Sequence, residues 1–197
     1  MYLGVPSLYG ILVHRSENFF GNSGKKLIDA LKMIKSNGLV KKIGVSIYDP
    51  SECEQVMNLT RIDIVQAPLS IVDRRLIASG WLSKLHSEEI EIHTRSVFLQ
   101  GLLLMPRNKI PKIFNKWSEV WDKWSLELKK HNLSASEVCL SYPLSLPEID
   151  RIIIGVDNVS QLNDIIKKSK SQQSQVDWSF MISNDQMLIN PTNWNKL

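Results

Sequence analysis

Apolar positions along the chain follow two rhythms. Short, nearly continuous β-rich runs occur at LYGILV (8–13), KIGVS (42–46), IDIVQ (62–66), IEIHT (90–94) and RIIIGV (151–156). Such runs read as strands covered on both faces, as in a parallel sheet. Between them the spacing changes to three and four. Over 24–36, Leu27, Ala30, Leu31 and Ile34 form one stripe of an amphipathic helix. Asn22 or Ser23 is expected to cap its start, and Gly38 to close it. Pro50 suits the first turn of a second helix. A third, looser helix is expected over 73–87, two more over 112–131 and 134–145, and a last over 158–168 with Leu162, Ile165 and Ile166 facing inward.

The resulting order, β-α-β-α-β-α-β-α-α-β-α, predicts a parallel α/β fold. Two long connections, 67–74 and 95–111, each follow a strand, which puts them at the carboxyl end of the sheet. That end carries the chemistry in parallel α/β folds. Residues 171–197 are polar apart from spaced rings such as Trp178, Phe180 and Trp194, and are expected to form a tail packed down through those rings.

Composition removes several classes of function. The chain has 197 residues, 43% of them hydrophobic and 22% charged, as in an ordinary globular domain. A net charge of +4 is well short of a nucleic-acid-binding surface. Cys53 and Cys139 are far apart, which suits a reducing compartment and gives no zinc spacing. The first residues carry no early positive charge, and Pro6 interrupts their apolar stretch, so no signal peptide is expected. The apolar run Leu99–Met105 is too short for a bilayer and contains Gln100 and Gly101. A cytoplasmic protein with neither nucleic-acid nor membrane partner is expected.

Polar residues recur where the strands end. His14 and Arg15 close the first, Ser46 the second and Gln66 the third. Thr94, Arg95 and Ser96 close the fourth, and Gly155, Asp157 and Asn158 the last. Any one of these is ordinary strand-end hydrogen bonding; their recurrence at one end points to a functional rim. Gly155 leads into a helix start, where free N–H groups attract anions. GxGxxG and GxxxxGK[ST] are both absent, which disfavours a doubly wound dinucleotide domain. Other polar or aromatic residues have simpler readings. His93 is expected inside the core, and His86 and His131 on the surface. Trp117, Trp121 and Trp124 form a packing face, and Lys25, Lys26, Lys32 and Lys35 a solvated one. Asp73, Arg74 and Arg75 would be exposed ion pairs of little weight.

In this order the segments ILVHR, GLVKKIGVSIYDP, IVQAPLSIVDRRL, RSVFLQGLLL and RIIIGVDNVSQL resemble the later part of an aldo-keto reductase, over roughly residues 8–168. The resemblance implies an α/β fold: an incomplete (β/α)8 TIM barrel of about five parallel strands with flanking helices. Residues 1–170 would supply strands four to eight, and 171–197 a C-terminal tail packed on the barrel. It implies an oxidoreductase that reduces aldehyde or ketone carbonyls by hydride transfer from NADPH (NADP), with NADH (NAD) as the alternative, on a small-molecule carbonyl substrate. His14 would be the catalytic histidine, hydrogen-bonded to the carbonyl oxygen. Ser46 and Gln66 would bind the nicotinamide carboxamide. Arg95 stands where many members stack an aromatic ring on the nicotinamide, and a guanidinium plane also stacks. Ser96, Leu99 and Gly101 would line the pyrophosphate, Gly155, Val156 and Asp157 would lie near the adenosine phosphate, and Gln161 would lie beside the adenine.

The family's acid tyrosine and its lysine and aspartate partners come from earlier βα units that these segments do not match. The resemblance therefore implies an N-terminally truncated form, a fragment, that is inactive alone. The alternative is a non-catalytic half-barrel that self-associates through open barrel edges or binds nucleotide. Positioned acid catalysis is worth roughly 10²–10⁴ in rate, so little carbonyl reduction is expected of the chain. Tyr48, just past the second strand, reads as a locally packed loop residue.

Overall fold

The computed structural model describes residues 4–170 and 176–197. Five parallel strands stand in one sheet in sequence order. The chain divides into two compact units, one of residues up to Pro68 plus Leu76–His93, the other of Leu69–Arg75 plus Thr94–Leu197.

In the first unit strands and helices alternate as the periodicities predict, except that the helix expected over 73–87 divides in two at Gly80. They are β1 (Leu8–Val13), α1 (Gly21–Ser36), β2 (Val40–Ser46), α2 (Ser51–Met57), β3 (Ile64–Pro68), α3 (Arg75–Ala78), α4 (Trp81–Ser87) and β4 (Glu91–Arg95). Helix α3 begins, and strand β4 ends, in residues of the second unit. Val13 pairs with Val45 and Ser46 with Gln66, so β1, β2 and β3 end level with one another. Gly44 makes the β2–β3 approach feasible. A Cβ there would lie 2.3 Å from the Ile64 carbonyl oxygen, closer than real Cβ atoms come. The core holds Val45, Ile47, Val56, Ile64, Val65 and Leu85, all fully buried.

Helix α1 starts earlier than the stripe predicts. Phe20 takes the N-cap position with no side-chain cap, and Asn22 and Ser23 fall within the first turn. The entry is fixed instead by the 3-10 turn Ser16–Phe19 and by Gly24, whose Cβ would meet the Phe19 carbonyl oxygen at 2.1 Å. Gly38 closes the helix as expected, with φ +73°.

The second unit is built on rings. Its helices are α5 (Ser118–Lys130), α6 (Ala135–Leu144), α7 (Val159–Ser169) and α8 (Gln186–Ile189), with the two-residue strand β5 (Arg151–Ile152). The helix expected over 112–131 divides into a 3-10 turn, Lys112–Trp117, and α5. Trp121 and Trp124 are buried, and their indole N–H groups donate to the carbonyls of Phe114 and Leu103 at 3.2 and 3.3 Å. Trp124 meets Trp178 edge-on at 5.1 Å, and Phe114 meets Trp194 at 4.8 Å. Residues 176–197 thus enter this core through their rings; 171–175 lie outside the described residues.

Two expectations fail in this unit. Asp73 and Arg75 are not exposed: Asp73 is 2% accessible, and Arg75 grips it through Nε at 2.9 Å and Nη2 at 2.8 Å. Nor does α7 bury its apolar stripe. Leu162 and Ile166 are 40% and 45% exposed, and none of the helix's residues is buried. The helix lies along one wall of a groove of about 320 Å³ shared with Leu140, Leu144, Ile149 and Ile152, so its flank is covered on one side alone. Strand β5 is correspondingly short. Ile153 N–H still reaches the Thr94 carbonyl at 2.7 Å, and Gly155–Asn158 are exposed.

Candidate functional site

In the first unit, register brings three of the expected residues together. His14 follows Val13 just as Ser46 follows Val45, and Ser46 lies opposite Gln66. Neighbouring strands are about 4.8 Å apart, so three side-chain positions fall within about 10 Å along one rim. His14 is exposed, Ser46 is 5% accessible and Gln66 is half-buried. Ser46 Oγ points its hydroxyl toward Gln66 Oε1 at 3.4 Å. The long contact leaves both groups ready to exchange one another for a ligand amide.

A second polar group in this unit has no counterpart in the sequence reading. Glu91, nearly buried, accepts from Tyr9 Oη at 2.6 Å, from Lys42 Nζ and from the His93 ring at 2.8 Å. The hydrogen bond from the Glu91 carboxylate holds the Lys42 ammonium above its ordinary pKa, against the opposing effect of partial burial. These are the types of residue from which acid catalysis on a carbonyl is built. Their place is wrong for it: Tyr9 precedes His14 by five residues on an extended strand, about 16 Å. The set closes on itself at the amino end of the sheet. No apolar periodicity signals it, because Lys42 and Glu91 look like ordinary solvated strand residues in the sequence.

In the second unit, three separate segments line a cleft of about 900 Å³: residues 95–104, 134–136 and 153–165. Arg95, Ser96, Gly101, Gly155, Asp157 and Gln161 all face it. Leu99 does not; its side chain is buried among the rings, and its N–H donates to the Ser96 carbonyl at 2.8 Å. Val156 is exposed beside the cleft without lining it. The loop after β4 is unusual in its backbone. Ser96, Leu99, Gln100 and Gly101 have φ of 63°, 47°, 53° and 83°, a left-handed run that non-glycine residues adopt at a cost. Arg95 Nη1 donates to Ser96 Oγ at 3.2 Å, which fixes the guanidinium against this loop.

Two helix starts open on the same cleft, and both are already capped from within. At α6, Glu137 accepts the Ser134 N–H at 2.8 Å and the Ser134 hydroxyl at 2.6 Å. Those bonds hold its carboxyl below the ordinary glutamate range, the hydroxyl contributing most. At α7, the Gln161 carboxamide oxygen accepts the Asp157 N–H at 2.8 Å, and Asn158 Oδ1 accepts the Gln161 N–H at 2.9 Å. The anion-seeking N–H groups expected after Gly155 are in part consumed by the protein's own side chains. Ser134, Ser136, Gln100 and Asp164 also line the cleft. Of these, only the S-x-x-E capping box at Ser134 has a readable sequence signal, and it marks a helix start, not a site.

Among the described residues, no cluster of histidine, cysteine or carboxylate side chains could hold a metal ion. None of the described helices is long and apolar enough to cross a membrane.

A sheet of five parallel strands with flanking helices defines the parallel α/β fold class. Similarity to known proteins narrows it. The aldo/keto reductase family model matches residues 13–181, and the chain belongs to that family. Its fold is that of solved aldo-keto reductases. The holo form of aldo-keto reductase AKR11C1 from Bacillus halodurans superposes with a TM-score of 0.69 at 14% identity, covering 89% of this chain and 60% of that one. Glycerol dehydrogenase AKR11B4 from Gluconobacter oxydans gives 0.64 at 17% identity, covering 88% and 56%. The thermostable aldo-keto reductase Tm1743, solved with the inhibitor epalrestat, gives 0.62 at 19%, covering 86% and 57%. The chain thus spans less than two thirds of the length of these structures. No curated protein matches it.

Proposed function

We propose that this chain takes part in the reduction of an aldehyde or ketone by a nicotinamide dinucleotide, and that its second-unit cleft holds the coenzyme's phosphate and adenosine portions. The observation that carries this reading is the convergence of three separate segments, with Arg95, Ser96, Gly101, Gly155, Asp157 and Gln161 on them, into one cleft. Its volume, about 900 Å³, falls toward the upper end of ordinary ligand sites. The donor set suits a dinucleotide: one guanidinium, several hydroxyls, and two glycines beside which a Cβ would meet open space.

A reduced nicotinamide, when bound, supplies the hydride. The chain's own residues do the rest. Arg95 offers its guanidinium plane for stacking on the nicotinamide. Ser46 and Gln66 offer a hydroxyl and an amide to a carboxamide. His14 donates an N–H to the carbonyl oxygen, so that negative charge developing there on reduction meets a positioned donor. A stronger proton source is not in reach of His14 on its own strand, since Tyr9 is tied to Glu91 at the other end. The chain by itself therefore binds coenzyme with little or no turnover. The buried free thiols Cys53 and Cys139 suit a reducing cytoplasm. The end strands β1 and β5 are where a second copy would add, since unpaired strand edges invite pairing.

Calorimetric titration of the purified chain with NADH and NADPH, together with coenzyme oxidation in the presence of a simple aldehyde, tests the reading. Binding with little or no coenzyme oxidation is expected, and measurable oxidation abolished by His14→Ala would show that expectation wrong. Absence of binding by both coenzymes at millimolar concentration overturns the proposal.

A further inference from the structure

Resting on the reading of His14 as donor to the carbonyl oxygen, we infer that Glu52 is a positioning residue for it: one carboxylate ties the loop after β1 to the loop after β2. The rim is not held alike throughout. Between β2 and β3 the backbone pairing continues past Ser46, where the Ile47 N–H donates to the Gln66 carbonyl at 2.8 Å. Between β1 and β2 the register ends at Val13 and Val45. His14 is the next residue, and it is exposed, so burial of its own ring does not place it.

Glu52 spans that gap. Its Oε1 accepts the backbone N–H groups of Tyr48 at 3.0 Å and Asp49 at 2.7 Å, in the loop that follows Ser46. Its other oxygen, Oε2, accepts the hydroxyl of Ser16, in the loop that follows His14. Ser16 is 3% accessible and opens the 3-10 turn that leads into α1. A simpler reading of Glu52 is an acidic residue in the first turn of α2, where negative charge is favoured. That accounts for the two N–H groups and leaves out Ser16, which belongs to another loop. The start of α2 also has a partner of its own: Asp49 Oδ1 accepts the Ser51 N–H at 3.0 Å and the Ser51 hydroxyl at 2.7 Å. Hydrogen bonds to a carboxylate are roughly twice as strong as neutral ones, and three such bonds converge on Glu52. The far end of the Ser16–Phe19 turn is anchored separately by the buried ring of Phe19. Glu52 therefore governs the end nearest His14.

The test is hydrogen exchange on the full chain at two amides that Glu52 does not bond. The Asn18 N–H donates to the Arg15 carbonyl and the Phe20 N–H to the Glu17 carbonyl, both at 3.2 Å, and these bonds hold the turn after His14. Glu52→Ala should speed their exchange about tenfold or more, and Ser16→Ala nearly as much, as loss of a hydrogen bond to a charged group implies. Exchange at Val45 and Val65 in the sheet should not follow. Glu52→Gln keeps an oxygen for the two N–H groups and a polar group beside the Ser16 hydroxyl, so it should restore slow exchange. The magnetic resonance signals of the His14 ring, identified by their loss in His14→Ala, should move in Glu52→Ala and return in Glu52→Gln. A role confined to the start of α2 predicts that Tyr48, Asp49 and α2 respond alone, and that result overturns the inference. So does a uniform rise through β2 and β3. Ser16→Ala removes one hydroxyl and leaves α2 intact, so it decides the matter if Glu52→Ala does not fold: unchanged exchange at Asn18 and Phe20 in that variant overturns the inference. Failure of NADH and NADPH to bind the unaltered chain overturns the coenzyme reading, while the exchange pattern separately decides whether Glu52 holds the loop.

Discussion

The two units reach a functional surface by opposite routes. In the first, His14, Ser46 and Gln66 stand in line because three parallel strands end in register, and backbone hydrogen bonds alone enforce that. In the second, the cleft is made by loops and helix starts from segments far apart in sequence, held over a core of buried rings. Strand register positions side chains to within a strand spacing and tolerates changes elsewhere. A cleft carried by loops depends on whatever lies beneath them. The left-handed residues Ser96, Leu99 and Gln100 show that dependence, because their conformation persists only while the packing of Leu99, Leu102 and Leu103 over-determines it.

The largest expected effect tests the ring core. Trp121→Ala removes a fully buried ring and its hydrogen bond to the Phe114 carbonyl, and should cost about 3–5 kcal/mol by chemical denaturation. Hydrogen exchange should show the loss in α5 and around 178–189. Protection unchanged there would mean that the rings do not carry that unit. Gly44→Ala probes the other route. Its Cβ would be pressed against a backbone carbonyl that cannot rotate away, so a loss of about 1–3 kcal/mol is expected, with faster exchange in β2 and β3. A neutral Gly44→Ala would break the claim that close register positions Ser46 and Gln66.

Glu91→Ala leaves Tyr9, Lys42 and His93 without their shared acceptor. Lys42 is one-third exposed and can turn to water, so about 1–2 kcal/mol is expected, below the cost of opening a fully buried pair. The smallest effect concerns the cleft's helix start. Ser134→Ala removes the α6 cap and should cost about 0.5–2 kcal/mol. That cost should depend on pH. Glu137 has a folded pKa below its unfolded one, so its share of the cap is present above the ordinary glutamate range and is lost as pH falls through the lowered value. A Ser134→Ala penalty that does not shrink in acid would show that Glu137 and Ser134 do not act as one unit. Cys53 gives a chemical check on the first unit. Burial above all pushes its thiol up to about 12, so native-state alkylation near neutral pH should be negligible until the unit opens.

Strand order, helix order and the rim position of His14, Ser46 and Gln66 were legible in the residues. Continuous β-branched runs and period-3.6 stripes are local consequences of burial, and in a parallel fold the carboxyl end is fixed by chain direction. The fate of α7 was not legible. Its stripe of Leu162, Ile165 and Ile166 predicts burial, yet whether a stripe is covered depends on what lies across from it. The same holds for Asp73 and Arg75, charged neighbours in sequence that become a buried bidentate pair. Leu99 stands beside the cleft in sequence and beneath it in space.

The sequence by itself determined the alternation of strand and helix, the family, and which side chains end each strand, because those follow from local periodicity and chain direction. Only the tertiary structure decided that Asp157, Asp164 and Arg95 share one cleft and that its helix starts are already occupied. Charge and hydrogen-bond donors act through space, and the separation of 95, 137 and 161 along the chain says nothing of their nearness until the fold has closed.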